Sequence, residues 1–77
     1  MQLMEQLDHI LVFKTDIRTR ADAAILAPAL SSHPQISQWN VDCEDVDCVL
    51  RVVSDSLCCG DIIRIVRQEG YFCKELD

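Results

Sequence analysis

The sequence predicts an α+β domain in which a four-stranded antiparallel sheet carries two helices on one face. Two observations predict this fold class. The apolar repeat changes between about 2 and about 3.6 residues several times along the chain, and turn or helix-capping residues stand at the changes. The 77 residues are expected to form a single domain, 1–77. A chain of this size buries only about 60% of its unfolded surface, which leaves little room for a large catalytic cleft.

The first strand and first helix are predicted from an alternating segment followed by a capping pair. Residues 9–17 carry apolar side chains on both alternating faces, which is typical of a central strand. Thr19 stands three residues before Asp22, so that its hydroxyl can accept from an early helical N–H. Pro28 predicts a kink or an early end of the helix. The predicted apolar stripe of this helix consists of Ala21, Ile25, Leu26, Ala29 and Leu30.

The remaining elements follow the same alternation of patterns. Residues 36–43 and 46–53 predict two antiparallel strands, with Glu44 and Asp45 at the tip of the hairpin. The capping run 54–56 predicts the start of a second helix, and Gly70 predicts its left-handed end. Residues 71–76 suit a final edge strand. The order is therefore βαββαβ, the split arrangement of ferredoxin-like domains.

A sheet with both helices on one face leaves its other face uncovered. Four apolar side chains are expected to project there and to form an interaction face: Ile10, Val12, Val49 and Val53. The alternative is an ordinary monomer surface, because small apolar strips are common and Lys14 and Arg51 would interrupt this one.

Charge and hydropathy exclude several classes of partner. Thirteen acidic and seven basic residues give a formal charge of −6, which disfavours binding to nucleic acid. No stretch approaches the roughly 20 apolar residues needed to cross a bilayer, and residues 1–8 lack the pattern of a secretory signal. A cytoplasmic protein with reduced thiols and no membrane partner is therefore expected.

These features give the chain a resemblance to the heavy-metal-associated domains, the copper-chaperone-like family. The resemblance covers residues 8–76 and rests on the element order, on Ile36-x-x-Trp39-x-Val41 in the second strand, and on the pair Gly70-Tyr71. It implies a soft metal ion such as Cu(I), which members of that family bind through a Met-x-Cys-x-x-Cys loop after the first strand. It also implies that Tyr71 lies near that loop.

This sequence departs from the family at the metal loop itself. The motif falls on residues 17–22, where Ile17 replaces the Met and Thr19 and Asp22 replace the two cysteines. A hydroxyl and a carboxylate are hard donors, whereas Cu(I) prefers thiolates, and Arg18 and Arg20 would oppose a cation. The sequence therefore predicts a degenerate metal site whose residues cap a helix instead.

The five cysteines leave an alternative open. Cys43 and Cys48 are expected to point into the core as small apolar residues. Cys58 and Cys59 are expected near the start of the second helix, where the helix dipole can lower a thiol pKa. With Cys73, they could hold Cu(I) or Zn, although no pair has the C-x-x-C spacing of a zinc site.

No motif in the sequence indicates an enzyme. His9 and His33 lack the partners of a catalytic dyad, and two glycines ten residues apart cannot form a phosphate-binding loop. The leading hypothesis is a non-enzymatic binding module without a cofactor, which recognises a protein partner or a second copy of itself. The runner-up is a carrier or sensor of a soft metal that uses the non-standard cysteines. A small-ligand regulatory domain is a third possibility that rests on fold analogy alone.

Overall fold

A computed structural model of the protein describes residues 10–76. Two helices and four strands follow one another in the predicted order: β1 (Ile10–Thr15), α1 (Arg20–Ser31), β2 (Gln38–Asp42), β3 (Val49–Val53), α2 (Cys59–Gln68) and β4 (Cys73–Glu75). The strands form one antiparallel sheet in the order β2-β3-β1-β4, so that β1 and β3 are central. The ferredoxin-like prediction is confirmed. His9, with which the first strand was expected to begin, lies outside the described residues.

The core lies between the inner face of the sheet and the two helices. Phe13 on β1 and Leu50 on β3 are opposite each other and completely buried. Leu26 and Leu30 of α1 and Ile62 of α2 close the same cluster from the helical side. Burial of an aliphatic or aromatic side chain of this kind stabilises the fold by about 1.5–3 kcal/mol. The core is therefore formed by the alternation of β1 and β3 together with one stripe from each helix.

Helix α1 begins as predicted but turns a different stripe toward the core. Leu26 and Leu30 are buried and Ala23 packs beside them, whereas Ile25 is 53% exposed and Ala21 is exposed. The prediction for Ile25 and Ala21 is wrong because Ala23, Leu26 and Leu30 already make a complete i, i+3, i+7 stripe. The helix continues past Pro28 and ends at Ser31.

The β2–β3 connection is longer than a tight hairpin. β3 begins at Val49 instead of Val46, which leaves residues 43–48 as a loop. Cys48, the residue before β3, has a φ of 45°, in the left-handed region, and its N–H donates to Asp45 O at 2.9 Å. Thr15 on β1 holds the loop by donating from its hydroxyl to Cys48 O at 2.6 Å. The loop thus folds against β1 instead of extending the ladder.

Helix α2 begins at Cys59, five residues after the first residue of the predicted capping run. The hydroxyl of Ser54 accepts from the N–H of Ser56 and of Leu57, so this segment forms a turn before the helix. Cys58 is the N-cap residue, and its own N–H donates to Asp61 Oδ2 at 2.9 Å. Gly70, with a φ of 94°, follows the helix as predicted.

No helix within residues 10–76 is both long enough and apolar enough to span a membrane.

Candidate functional site

The β1–α1 loop, residues 16–19, ends in a helix cap. Thr19 has extended backbone angles, and its Oγ1 accepts from the N–H of Asp22 at 3.0 Å. Asp22 lies in the first turn, where its negative charge faces the positive end of the helix. Both residues at the positions of the family's two cysteines therefore stabilise the start of α1, as the spacing predicts.

Asp22 has a second partner, the hydroxyl of Tyr71, which follows α2. Tyr71 OH donates to Asp22 Oδ1 at 2.9 Å. The pKa of Asp22 is lowered below its ordinary value, first by this bond and then by the interaction of the Asp22 carboxyl group with the Thr19 side chain, because both favour the charged carboxylate. The pKa of Tyr71 is raised, first by partial removal from water and then by the hydrogen bond to Asp22. Tyr71 thus lies beside the loop, the position that the resemblance implies.

Two further contacts close the loop against the rest of the fold. Asp16 Oδ1 accepts from the N–H of Phe72 at 2.9 Å, parallel to the Asp22–Tyr71 bond. Ile17 is completely buried in the core, and its N–H donates to Thr15 Oγ1 at 3.1 Å. The loop is therefore held from below by Ile17 and from the side by the segment that leads into β4.

A shallow open groove of ≈ 650 Å³ separates this loop from the β2–β3 loop. Arg18 and Arg20 lie on one side of it, and Cys43 and Glu44 lie on the other. Cys43 is half-buried here, so the prediction that it points fully into the core is wrong, whereas Cys48 is buried as predicted. The difference arises because the chain has already left the β2–β3 ladder at Cys43.

The donor set of the β1–α1 loop does not fit a soft metal ion. The Thr19 hydroxyl and the Asp22 carboxylate are hard donors that are already engaged by a backbone N–H and by Tyr71. Ile17 offers no donor at all. Arg18 and Arg20 are exposed beside the loop, and neither forms an ion pair within residues 10–76. Their positive charges would repel a cation that approached Thr19 and Asp22.

The other cysteines do not assemble into a strong donor set. Within residues 10–76, no group of three or more His, Cys, Asp or Glu side chains is placed to hold a metal ion. The pKa of Cys59 is raised, chiefly by burial and then by the nearby Glu75, which is contrary to the predicted effect of the helix dipole. Burial raises the pKa of Cys73 to about 11. Cys58 is exposed at the N-cap. Cys59 and Cys73 are therefore held as neutral thiols at neutral pH.

The face of the sheet opposite the helices, which no element within residues 10–76 covers, has a smaller apolar area than predicted. Ile10 is 39% exposed, and Val12 and Val53 are half-buried on the same face. Val49 is only 5% exposed and contributes almost no accessible surface. Val49 comes directly after the loop that folds back onto β1. Lys14 and Asp47, which lie next to Val49, form an ion pair at 3.6 Å.

Sequence reasoning missed the residues that tie the loops together. Thr15 bonds both to Cys48 O and to the N–H of Ile17, and Asp16 bonds to Phe72. The available signal for Thr15 was its place on the inward face of the first strand, since a buried hydroxyl requires hydrogen-bond partners. Asp16 gave no signal, because its partner lies 56 residues away in sequence.

The fold is HMA-like, and in this chain the β1–α1 loop leads into a capped helix start. The fold matches the apo HMA domain of a copper chaperone for superoxide dismutase, with a TM-score of 0.76 and 13% identity over 88% of this chain and 66% of that one, just under two thirds of it. A yeast copper transporter domain, solved in apo and Cu(I)-loaded states, matches with a TM-score of 0.75 and 14% identity over 88% and 94% of the two chains. The CsoZ metallochaperone matches with a TM-score of 0.72 and 20% identity over 86% and 96%.

These identities are low, and the likeness shows the fold. No protein-family model matches the sequence, and no curated protein matches it. The chain therefore has an HMA-like, copper-chaperone-like architecture.

Proposed function

We propose that this chain is a non-enzymatic recognition module that binds a protein through its uncovered sheet face and no longer carries a metal in its β1–α1 loop. The observation that supports it most is the Thr19–Asp22–Tyr71 arrangement. The side chains at the family's two thiolate positions already form hydrogen bonds within the domain. A carrier must offer and release its donor atoms. In this chain, moving the Thr19 and Asp22 side chains onto a metal ion would break the hydrogen bonds that stabilise the start of α1.

The sheet face supplies a surface for recognition. Ile10, Val12 and Val53 give it an apolar centre, and Arg51 is exposed between them as a charged neighbour. Such a combination, an apolar centre with charge at its border, is typical of a modest protein contact surface.

The test compares two apolar-to-acidic substitutions on different surfaces. Ile10→Glu places a charge on the sheet face, whereas Ile25→Glu places the same charge on the outer side of α1, where the native side chain is 53% exposed. Partner capture by the immobilised wild-type chain, or self-association followed by size-exclusion chromatography, is expected to be lost with Ile10→Glu and kept with Ile25→Glu. Equal behaviour of the two variants would contradict the proposal.

A soft-metal carrier remains the second candidate, because solved structures with this fold include Cu(I)-loaded and metallochaperone domains. It would use Cys58, Cys59 or Cys73. Anaerobic titration of the reduced protein with Cu(I) and Zn(II) tests it against a Cys58→Ser, Cys59→Ser variant. A carrier of this kind would bind one equivalent more tightly than the variant does, whereas the recognition module would bind metal no better than the variant.

A further inference from the structure

The uncovered sheet face changes from apolar to basic along β1. Three successive outward-facing pairs link β1 to its neighbours: Ile10 with Val53, Val12 with Arg51, and Lys14 with Lys74. The last pair places two lysines directly opposite each other, an arrangement that destabilises an isolated sheet. Three of the seven basic residues of an acidic chain therefore lie on one face, two of them in an unfavourable pair.

Most of this positive charge has no ion-pair partner among residues 10–76. The only ion pair within residues 10–76 joins Lys14 to Asp47, so that Arg51 and Lys74 face solvent without a carboxylate. Val12 lies between them, with Arg51 opposite on β3 and the lysine pair two residues further along β1. A ligand suited to this face has an apolar centre flanked by negative charge.

The β2–β3 loop of the same chain has this composition. Val46 is 89% exposed, and it stands between Asp45 and Asp47, with Glu44 one residue earlier. We call residues 43–48 the acidic loop. A β-branched apolar side chain exposed to this degree adds nothing to the core, and each of its nearest charged neighbours in sequence is negative.

The acidic loop is also ordered before it meets any partner. The N–H of Asp47 donates to Asp45 Oδ1 at 2.8 Å, and the N–H of Glu44 donates to Asp42 Oδ1 at 3.1 Å. Thr15 fixes the far end through Cys48 O. A segment that is already held in one conformation loses little entropy on binding, which favours its use as a docking element.

We propose that the occupant of the sheet face is the acidic loop of a second copy of this chain. The inference rests on the proposed role of that face. Val46 of one copy contacts Val12 and Ile10 of the next, and Glu44 and Asp45 lie against Arg51 and Lys74. Each copy carries both a face and a loop, so the contact is head-to-tail, and copies add in concentration-dependent chains or rings.

Sedimentation equilibrium of the wild type and of two double charge reversals tests the contact. The face variant is Arg51→Glu with Lys74→Glu, and the loop variant is Glu44→Lys with Asp45→Lys. Each is expected to lower the association constant roughly tenfold or more, since exposed attraction is turned into repulsion at two positions. Arg64→Glu, an exposed reversal on α2, is the matched control and is expected to leave association unchanged.

Mixing the two double variants gives the most specific result. The face variant keeps a native loop and the loop variant keeps a native face, so that the mixture is expected to associate although neither variant does so alone. Val46→Ser is expected to weaken association more than Ile25→Ser. Association of the wild type is also expected to weaken at about 1 M salt, where the Debye length falls to about 3 Å.

Several results would overturn the inference. A wild-type chain that stays monomeric up to about 1 mM has no such contact of useful affinity. Association that survives the loop reversal would assign the face to another occupant, such as a second sheet face. If the chain is monomeric while Ile10→Glu still abolishes capture of a different, purified partner, this inference fails and the proposed recognition role stands.

Discussion

Two neighbouring loops at one end of the sheet use their polar side chains in opposite ways. In the β1–α1 loop and the first turn of α1, Thr19 caps the helix, the side chains of Asp16 and Asp22 bond to the segment that leads into β4, and the apolar Ile17 is completely buried. In the acidic loop, the carboxylate bonds found within residues 10–76 stay inside the loop or go to Lys14, and Val46 is 89% exposed. The first loop is thus closed by the fold, whereas the second presents its side chains outward.

The difference separates a loop whose side chains stabilise the fold from one whose side chains are exposed. In the β1–α1 segment, Thr19 and Asp22 stabilise the start of α1. The sheet face carries the opposed Lys14 and Lys74, which destabilise the isolated sheet, and the acidic loop carries the exposed Val46. The proposed self-association would bring these two regions into contact.

Thr15→Val is expected to have the largest effect, because Thr15 joins the two loops. It removes a buried hydroxyl that bonds Cys48 O and the N–H of Ile17, and it leaves both groups unpaired. The free energy of unfolding should fall by about 2–3 kcal/mol. Urea denaturation measures this, with Ser37→Ala as control, since the Ser37 hydroxyl bonds Val53 O at an exposed position. Equal effects of the two substitutions would show that Thr15 does not link the loops.

Thr19→Ala is expected to destabilise the β1–α1 loop and to leave the acidic loop unchanged. Loss of the N-cap bond to the N–H of Asp22 should cost about 1 kcal/mol, and Thr19→Ser, which keeps the hydroxyl, should cost little. Thermal unfolding followed by circular dichroism distinguishes the two variants. If Thr19→Ala were as stable as the wild type, the helix cap would not explain the residue at this position.

Tyr71→Phe is expected to have a smaller, pH-dependent effect. Because the folded pKa of Asp22 is lowered, its contribution to stability is fully present above the unfolded pKa, near 4, and is lost as the pH falls through the folded value. The stability difference between wild type and Tyr71→Phe should therefore be largest at neutral pH and shrink in acid. A difference that grew on acidification would contradict the Asp22–Tyr71 bond.

Titration of Tyr71 at alkaline pH gives an independent check of the Asp22–Tyr71 bond, because Tyr71 is the only tyrosine of the chain. Tyrosinate absorbance should titrate above pH 10. Asp22→Asn should lower the pKa of Tyr71 only part of the way toward its ordinary value, because partial removal from water is the larger cause of the shift.

Val46→Ser is expected to have the smallest effect on the fold. The side chain is 89% exposed, so the free energy of unfolding should change by less than about 0.5 kcal/mol. Chemical denaturation at low protein concentration measures this apart from any self-association. A loss near that of Thr19→Ala would place Val46 in the folded domain's own packing and would remove the contrast between the two loops.

The sequence allowed the element order, the Thr19 cap and the Gly70 helix end to be predicted, because each depends on residues close together in the chain. The early end of β2, the late start of β3 and the exposed Ile25 could not be predicted. They depend on bonds from Thr15 to the β2–β3 loop and on which of two possible stripes of α1 meets the sheet. The hydrogen-bond partners of Asp16 and Asp22 lie 56 and 49 residues away in sequence. These contacts also depend on the tertiary fold and could not be predicted from local patterns.

The central claim, that the β1–α1 loop is a helix start and not a metal site, is tested most directly by anaerobic Cu(I) titration against a competing chelator. The wild type is compared with a Thr19→Cys, Asp22→Cys variant, which restores two thiolates at the N-cap and in the first turn, where the helix dipole favours them. The account predicts that the variant gains one tight Cu(I) equivalent that the wild type lacks. Tight binding by the wild type that is lost in a Thr19→Ala, Asp22→Ala variant would contradict it.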